Sequence, residues 1–494
     1  MAFESLEPLL KRLPAVARPE GHVHFKKKLS WTLGILILYF ALANIPLFGL
    51  DKNSIDLFEM YRAFFAGASG SLMVLGIGPI VTASIVLQLL VGANVIKMDL
   101  SDPHQQAIFQ GLQKLLVFVM VVLEALPQIM GGYMRPDAVL AVQLGVEVNV
   151  ITLLLFLQVC AGGILILYMD EVVSKWGIGS GVGLFIIAGV SQQIVTGIFN
   201  WKPDNTGFPI GLIPKWIYIA SPSSNIGLDY LLSGDGLLFM LVQGGILALL
   251  STVLIYLMVV YVESTRIEIP LAHAAVRGAR GRFPVKLIYA SVLPMILVRA
   301  LQANIQMMGL LFSSRGITIF GEYRDATPIS GLMYYLAPIQ GPSDWMPSLV
   351  ASQFGSLGAP APANWQIGLH VLTDASMLII GGIIFALFWI ETTGMGAKSV
   401  AEKIHRSGMQ IPGYRRSSGT LERVMQRYIP KVTVIGGAFI GLLTLIASLL
   451  GTLGGAGGTG LLLTVSIMYR LYEDIASQQM MEMHPMMRTF FGKE

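Results

Sequence analysis

Residues 149–169 read NVITLLLFLQVCAGGILILYM, a run of 21 positions without one charged side chain. A helix of that length rises about 30 Å, the thickness of a bilayer's hydrocarbon core. A membrane-crossing strand needs only about ten residues and alternates in character, so this run reads as a helix. Similar runs recur along the chain. Ten are predicted, over residues 29–49, 76–96, 107–130, 149–169, 178–199, 236–261, 286–312, 368–391, 432–453 and 459–480. Composition agrees with them. Of 494 residues, 54% are hydrophobic and only 13% charged, against about 25% charged in soluble proteins. A soluble enzyme of ordinary type, a disordered chain and a nucleic-acid-binding domain are excluded. The 54 glycines exceed the typical ~7% and suit close helix–helix approach in a membrane. Cys160 is the sole cysteine, which excludes an internal disulfide and a cysteine-based metal cluster.

Lysine and arginine give the orientation. Ten spans put both termini on one side, which receives 24 of the 33 Lys and Arg, while seven fall on the other side. The rich side is the cytoplasmic one. The segment 1–28 then lies in the cytoplasm, and the first run reads as a retained span because no small-residue cleavage site follows it. Two cytoplasmic loops are long and basic. Residues 263–286 carry Arg266, Arg277, Arg280, Arg282 and Lys286, and residues 392–431 carry Lys398, Lys403, Arg406, Arg415, Arg416, Arg423, Arg427 and Lys431. Positive-inside bias explains charge near helix ends. Two protruding basic loops point further, to a docking surface for an acidic partner such as RNA phosphate. On the outer side, 200–235 and 313–366 are rich in Pro, Gly, Ser and Trp and read as compact caps.

Asp51–Ser71 is too short and too charged to span. It sets Asp56, Glu59 and Arg62 against Ile55, Phe58, Tyr61 and Phe65 at roughly helical spacing. That pattern predicts a helix lying at the interface or folded back into the bundle. The second run opens on Gly76-Ile77-Gly78-Pro79-Ile80-Val81. Such helix-weakening starts usually line a cavity, because unsatisfied backbone cannot face lipid.

Signals for enzyme chemistry are few. Gly67-Ala68-Ser69-Gly70 matches a serine pattern of intramembrane proteases, and that chemistry needs a histidine base beside the serine. His104 falls on the cytoplasmic side, a membrane thickness away, and only His370 remains as a base. The Gly454–Gly460 stretch lacks the lysine of a phosphate loop and reads as a tight helix–helix turn. Glu124, Arg299 and Asp374 are charges inside spans, where charge is costly. They are either relays of an ion-coupled transporter or buried groups with polar partners. Ile77 with Val81, and Val182 with Ile186, are aliphatic pairs four apart, which share a helix face.

Several stretches together resemble one family. They are Ile45-Pro46-Leu47-Phe48-Gly49, Gly76–Ser84, Asp170-Glu171-Val172-Val173-Ser174-Lys175-Trp176-Gly177-Ile178-Gly179-Ser180-Gly181 and Tyr334-Tyr335-Leu336-Ala337-Pro338. In this order, from about residue 20 to 485, the chain is similar to the SecY / Sec alpha-subunit family, the pore proteins of Sec translocation channels, and most to its archaeal and eukaryotic branch. The resemblance implies an all-α membrane protein of ten transmembrane helices in two pseudo-symmetric inverted halves around an hourglass pore. The halves are 29–199 and 236–494, joined by the external loop 200–235. It also implies a channel rather than an enzyme, with no cofactor and no metal.

The implied site residues follow position by position. The constriction ring would be Ile77, Val81, Val182, Ile186, Ile296 and Leu463, with Val at two positions making it slightly wider than an all-Ile ring. Branched aliphatics make a deformable seal that excludes ions by dewetting. Thr82, Glu124 and Asn304 match a polar cluster at a lateral gate between the second and seventh spans. The stretch near 53–68, with Phe58, Tyr61, Arg62 and Phe65, would be a plug. Arg280, Arg282, Arg415 and Arg416 would dock a ribosome. The implied partners are a SecE/gamma-type subunit, a beta-type subunit, the ribosome, signal sequences with their nascent polypeptides, and the lipid bilayer. The implied location is the plasma membrane, with both termini cytoplasmic.

Overall fold

The computed structural model describes the chain from Glu7 to Met483, except residues 11, 22, 52–53, 55–64, 93–94, 97, 99–102, 131–133, 204–206, 222–232, 274–279, 287–291, 325–326, 407–408 and 411–417. Each of the ten apolar runs carries a helix. They are α1 (Phe25–Ala43), α2 (Gly78–Gly92), α3 (Pro103–Met130), α4 (Val148–Trp176), α5 (Gly181–Phe199), α6 (Ile246–Ser264), α7 (Leu293–Ser314), α8 (Asn364–Thr392), α9 (Ser418–Leu450) and α10 (Gly458–Met483). Among the described residues, the seven from α3 to α9 are long and apolar enough to cross a membrane by themselves. Helix α1 opens on three lysines, α2 has only 15 residues, and α10 turns polar in its second half.

Three elements depart from the apolar pattern. The predicted run 236–261 is two helices, Gly234–Val242 and α6. Gly245 between them has φ +77°, a backbone that cannot continue a helix. The outer helix Leu212–Ala220 holds the break: Trp216 Nε1 donates to the Gly244 carbonyl at 2.8 Å and Lys215 Nζ to the Gln243 carbonyl. Helix α4 continues past its apolar run through Asp170–Trp176. Much of 392–431 is helical too, as the short helix Ala397–Arg406 and the first turns of α9. Their apolar faces pack on each other through Val400, Ala401, Ile404, Leu421, Met425 and Ile429.

Helices α1, α4 and α5 pack together, as do α2, α3 and α4; α6 to α10 form a second group. The groups meet along two seams. In one, α10 and the turn before it lie against α5; in the other, α7 and α8 lie against α2. The first seam is a backbone contact. Gly454 sits in the Gly451–Gly457 turn at φ +67°, and a Cβ there would collide with the Gln193 carbonyl of α5. Ser251 and Thr252 of α6 fix the same turn through the Gly451 carbonyl and the Leu453 amide. A single buried apolar cluster runs through both groups.

The basic loops join in one sheet. Strand β1 (Arg266–His273) pairs antiparallel with β2 (Arg280–Lys286), and β1 also pairs with Met409–Gln410 of the later loop.

Candidate channel axis and gate

The six residues expected to form a ring come from α5, α7, α10 and the start of α2 with the turn before it. Ile77 closes the turn before α2, where its carbonyl accepts from the amides of Ile80 and Val81. Val81 lies one turn on, Val182 and Ile186 sit on α5, Ile296 on α7 and Leu463 on α10. Five are buried in the central apolar cluster, and Val182 packs against it half-buried. Pairs four apart on α2 and α5 put both side chains on the inward face.

Of the expected plug residues, Phe58, Tyr61 and Arg62 lie outside the described residues. Phe65 is described and buried. The segment's end is tied to the bundle at two backbone points. The amide of Ile77 donates to the Phe65 carbonyl at 2.7 Å, and the Tyr39 hydroxyl of α1 donates to the Ala66 carbonyl at 2.7 Å. Tyr39 stacks on Phe185 of α5 with ring centroids 5.0 Å apart, and Ala66 packs on Gly189 one turn further along α5. Ala66 holds φ +51°, an uncommon conformation for a residue with a Cβ, which these contacts enforce. Tyr39 and Phe185 escaped the sequence reading, since an aromatic in an apolar run looks like any core or lipid-facing residue.

Thr82, Glu124 and Asn304 are brought together. Asn304 Nδ2 of α7 donates to Thr82 Oγ1 of α2 at 3.2 Å, and Thr82 also contacts the Glu124 carboxyl of α3. Glu124 is buried, and it occupies the space a side chain at Gly78 would need. Its Oε1 has no hydrogen-bond partner among the described residues. Ser84, on the same helix as Thr82, accepts from Gln113 of α3 at 2.6 Å, so α2 and α3 are joined as neighbours.

Arg299 and Asp374 face each other. Arg299 Nη1 lies 2.9 Å from Asp374 Oδ1, with both side chains almost fully buried. The same nitrogen donates to Gln302 Oε1 at 2.7 Å, Nη2 donates to Ser448 Oγ at 3.1 Å, and Nε to Thr459 Oγ1 at 3.0 Å. Gln302 Nε2 completes the group on Asp374 Oδ1 at 2.9 Å. Arg299 and Asp374 are thus buried groups with polar partners, as the second of the two sequence readings expects. The partners were invisible in the sequence, because ordinary amides and hydroxyls distant along the chain carry no charge signal.

His370 gives the serine-protease pattern no support. Ser69 is exposed in a turn, while His370 Nε2 pairs with the Ala337 carbonyl at 2.8 Å. That bond fastens the cap over residues 313–366 to α8, together with Thr373 Oγ1 on the Tyr335 carbonyl. Trp345 Nε1 ties the cap to the Leu449 carbonyl of α9.

In the three-stranded sheet, Arg280 opposes Ala272 and Arg282 opposes Pro270, and Gln410 pairs with Ala272 from the other edge. The two basic loops therefore meet in one sheet. Arg415 and Arg416 lie outside the described residues. Arg266 and Lys286, at the hairpin's base, are each 2.6 Å from the Glu473 carboxylate of α10, so these two cations anchor the hairpin.

Comparison with known proteins gives concordant matches. The SecY family matches residues 71–472, and the plug domain of Sec61p matches residues 37–70. The protein translocase subunit SecY of Archaeoglobus fulgidus is 59% identical over 493 residues, covering 100% of this chain and 99% of that one. A solved structure of a protein-conducting channel superposes with a TM-score of 0.78 at 38% identity, covering 97% and 98% of the two chains. Sec61 in the canine ribosome–channel complex from the endoplasmic reticulum gives a TM-score of 0.75 at 38% identity, with the same coverage.

Proposed function

The chain belongs to the SecY family, and from that membership we propose how its residues conduct a polypeptide. It is a multi-pass membrane protein and the subunit of a protein-conducting channel, not an enzyme. Unfolded secretory chains pass along the axis between its two helix groups, and apolar segments leave sideways between α2 and α7 into lipid. The full reading has ten crossings in two inverted halves, in the plasma membrane, with both termini in the cytoplasm.

The observation that supports this reading is the end of the plug segment bonded to Ile77 itself, with Ile77, Val81, Ile186, Ile296 and Leu463 all buried in the apolar cluster that joins the two helix groups and Val182 packed against it. A conduit for chains of every composition cannot present fixed polar partners at its narrowest point. Aliphatic side chains hold no particular substrate group, close on one another at rest and exclude ions by dewetting. The plug segment, seated on Tyr39 and Ile77, closes the outer side. Movement of that segment opens the path, and its two backbone bonds define the closed position.

Thr82, Asn304 and Glu124 form the lateral gate's polar contact. An apolar signal helix entering between α2 and α7 replaces that contact with lipid-like packing. The sheet carrying Arg280 and Arg282, with Arg415 and Arg416 on the adjoining loop, docks a ribosome. Rows of arginine against RNA phosphate give binding that weakens steeply with salt. A SecE/gamma-type subunit and a beta-type subunit complete the complex.

The test is site-specific cross-linking in the assembled complex. Cys160→Ser removes the native thiol, Ile296→Cys places one at the ring, and a secretory chain is stalled on a bound ribosome. A cross-link that depends on an intact signal sequence is expected. Its absence with the ribosome still bound refutes the ring assignment; loss of ribosome binding as well refutes the docking surface.

A further inference from the structure

Arg299 is the largest fully buried side chain among the described residues, and conduction itself needs no charge there. Its guanidinium leaves α7 and reaches Asp374 on α8, Ser448 on α9 and Thr459 on α10. Where it leaves α7 is informative. At about 100° per residue, Arg299 lies about 60° around the helix from Ile296 and about 140° from Asn304, with Ile296 between them. The knot thus sits on the side of α7 turned away from α2, while Asn304 meets Thr82 on the other side. A guanidinium is a planar fork whose donors have fixed directions. With donors placed on three neighbouring helices, α7 cannot turn about its axis without breaking buried, charge-assisted bonds.

We propose that Arg299 and Asp374 are positioning residues that key the rotation of α7 against α8, α9 and α10, and so set how strong a signal sequence must be to open the gate. They act through Asn304 and Ile296, which touch the gate and the axis. Helix α7 does not swing out alone; α7 to α10 move as one body, and the seam with α2 is where separation occurs. The inference rests on the gate reading of Thr82 and Asn304.

The experiment uses the complete channel complex and one secretory substrate carrying either its intact signal or a weakened one. The readout is the ratio of weakened-signal to intact-signal translocation. Asp374→Asn keeps an oxygen facing the guanidinium without its charge; Arg299→Lys keeps the charge and loses the fork. Each is expected to raise the ratio several-fold, within the range of about 5–150-fold typical of coupling between sites. A merely structural role lowers the amount of channel and both substrates alike, leaving the ratio where it was. Thr459→Val removes one hydrogen bond and keeps both charges, so it serves if the ion-pair variants do not accumulate; its shift has the same sign and is smaller. Combining Asp374→Asn with Asn304→Leu should raise the ratio by less than the product of the single effects, because a turned α7 has already weakened the Thr82 contact. Ratios that stay at the parental value in every accumulating knot variant, while Asn304→Leu alone raises its own, overturn the proposal. Asn304→Leu without effect overturns the gate reading beneath it.

Discussion

Helix α7 carries two polar clusters about 7.5 Å apart along its axis, five residues at a rise of about 1.5 Å each, and they are built in opposite ways. Around Arg299, a full ion pair and its surrounding hydrogen bonds join four helices of one group. Around Asn304, one neutral hydrogen bond of 3.2 Å crosses to the other group. A buried ion pair is costly to break, because each partner is left uncompensated. A neutral contact between membrane helices contributes only about 0.6–2 kcal/mol. The strong cluster lies within one helix group, and the weak one on the seam between the two groups. The opposite seam makes the same point with different chemistry. At Gly454 and Gln193 the groups touch backbone to backbone, close packing that suits a pivot.

The sharpest way to break this comparison is Arg299→Ala. It leaves Asp374 buried without a counter-charge, at an expected cost of about 3–5 kcal/mol. The variant should fail to accumulate, or should lose most of its thermal stability in detergent. If it is as stable as the parent, the cluster is not what holds α7 to α10 together. Asn304→Leu probes the weak side. It should leave stability nearly unchanged and shift the gate by about 0.5–2 kcal/mol, read as translocation of substrates with weakened signals. A stability loss as large as that of Arg299→Ala would erase the distinction between the clusters.

The sequence carried the ten helical segments plainly, because each apolar run is long and helical periodicity needs no partner to be seen. Their edges were less legible. The break at Gly244–Gly245 interrupts no hydrophobic pattern, so 236–261 read as one span. The start of α9 is charged on one face, so it read as loop until the apolar faces of Leu421, Met425 and Ile429 were seen against Val400 and Ile404. At the site, the aliphatic pairs on α2 and α5 were visible as pairs but ordinary in meaning; family resemblance assigned them, and the structure shows three of the four buried and Val182 half-buried. Arg299 and Asp374 were visible as expensive charges. Their pairing was not, because α7 and α8 are 75 positions apart at this point and no local pattern specifies such a contact.

The smallest effect is expected at the plug's seat. Tyr39 is held by its stack on Phe185, and its hydroxyl is the donor that reaches the Ala66 carbonyl. Tyr39→Phe keeps the ring and its packing and deletes the donor. One neutral hydrogen bond contributes about 0.5–1.5 kcal/mol, so the closed position is weakened by up to about tenfold and not abolished, since the Ile77 amide still binds the Phe65 carbonyl. Ion conductance of the resting channel in a planar bilayer should therefore rise, while translocation of a substrate with an intact signal stays near the parental rate. Like the Asn304–Thr82 bond, the Tyr39 bond is neutral. If Tyr39→Phe instead destabilised the whole protein as Arg299→Ala does, Tyr39 would belong with the permanent contacts, and the closed position would rest on the Ile77–Phe65 backbone bond and the aliphatic ring.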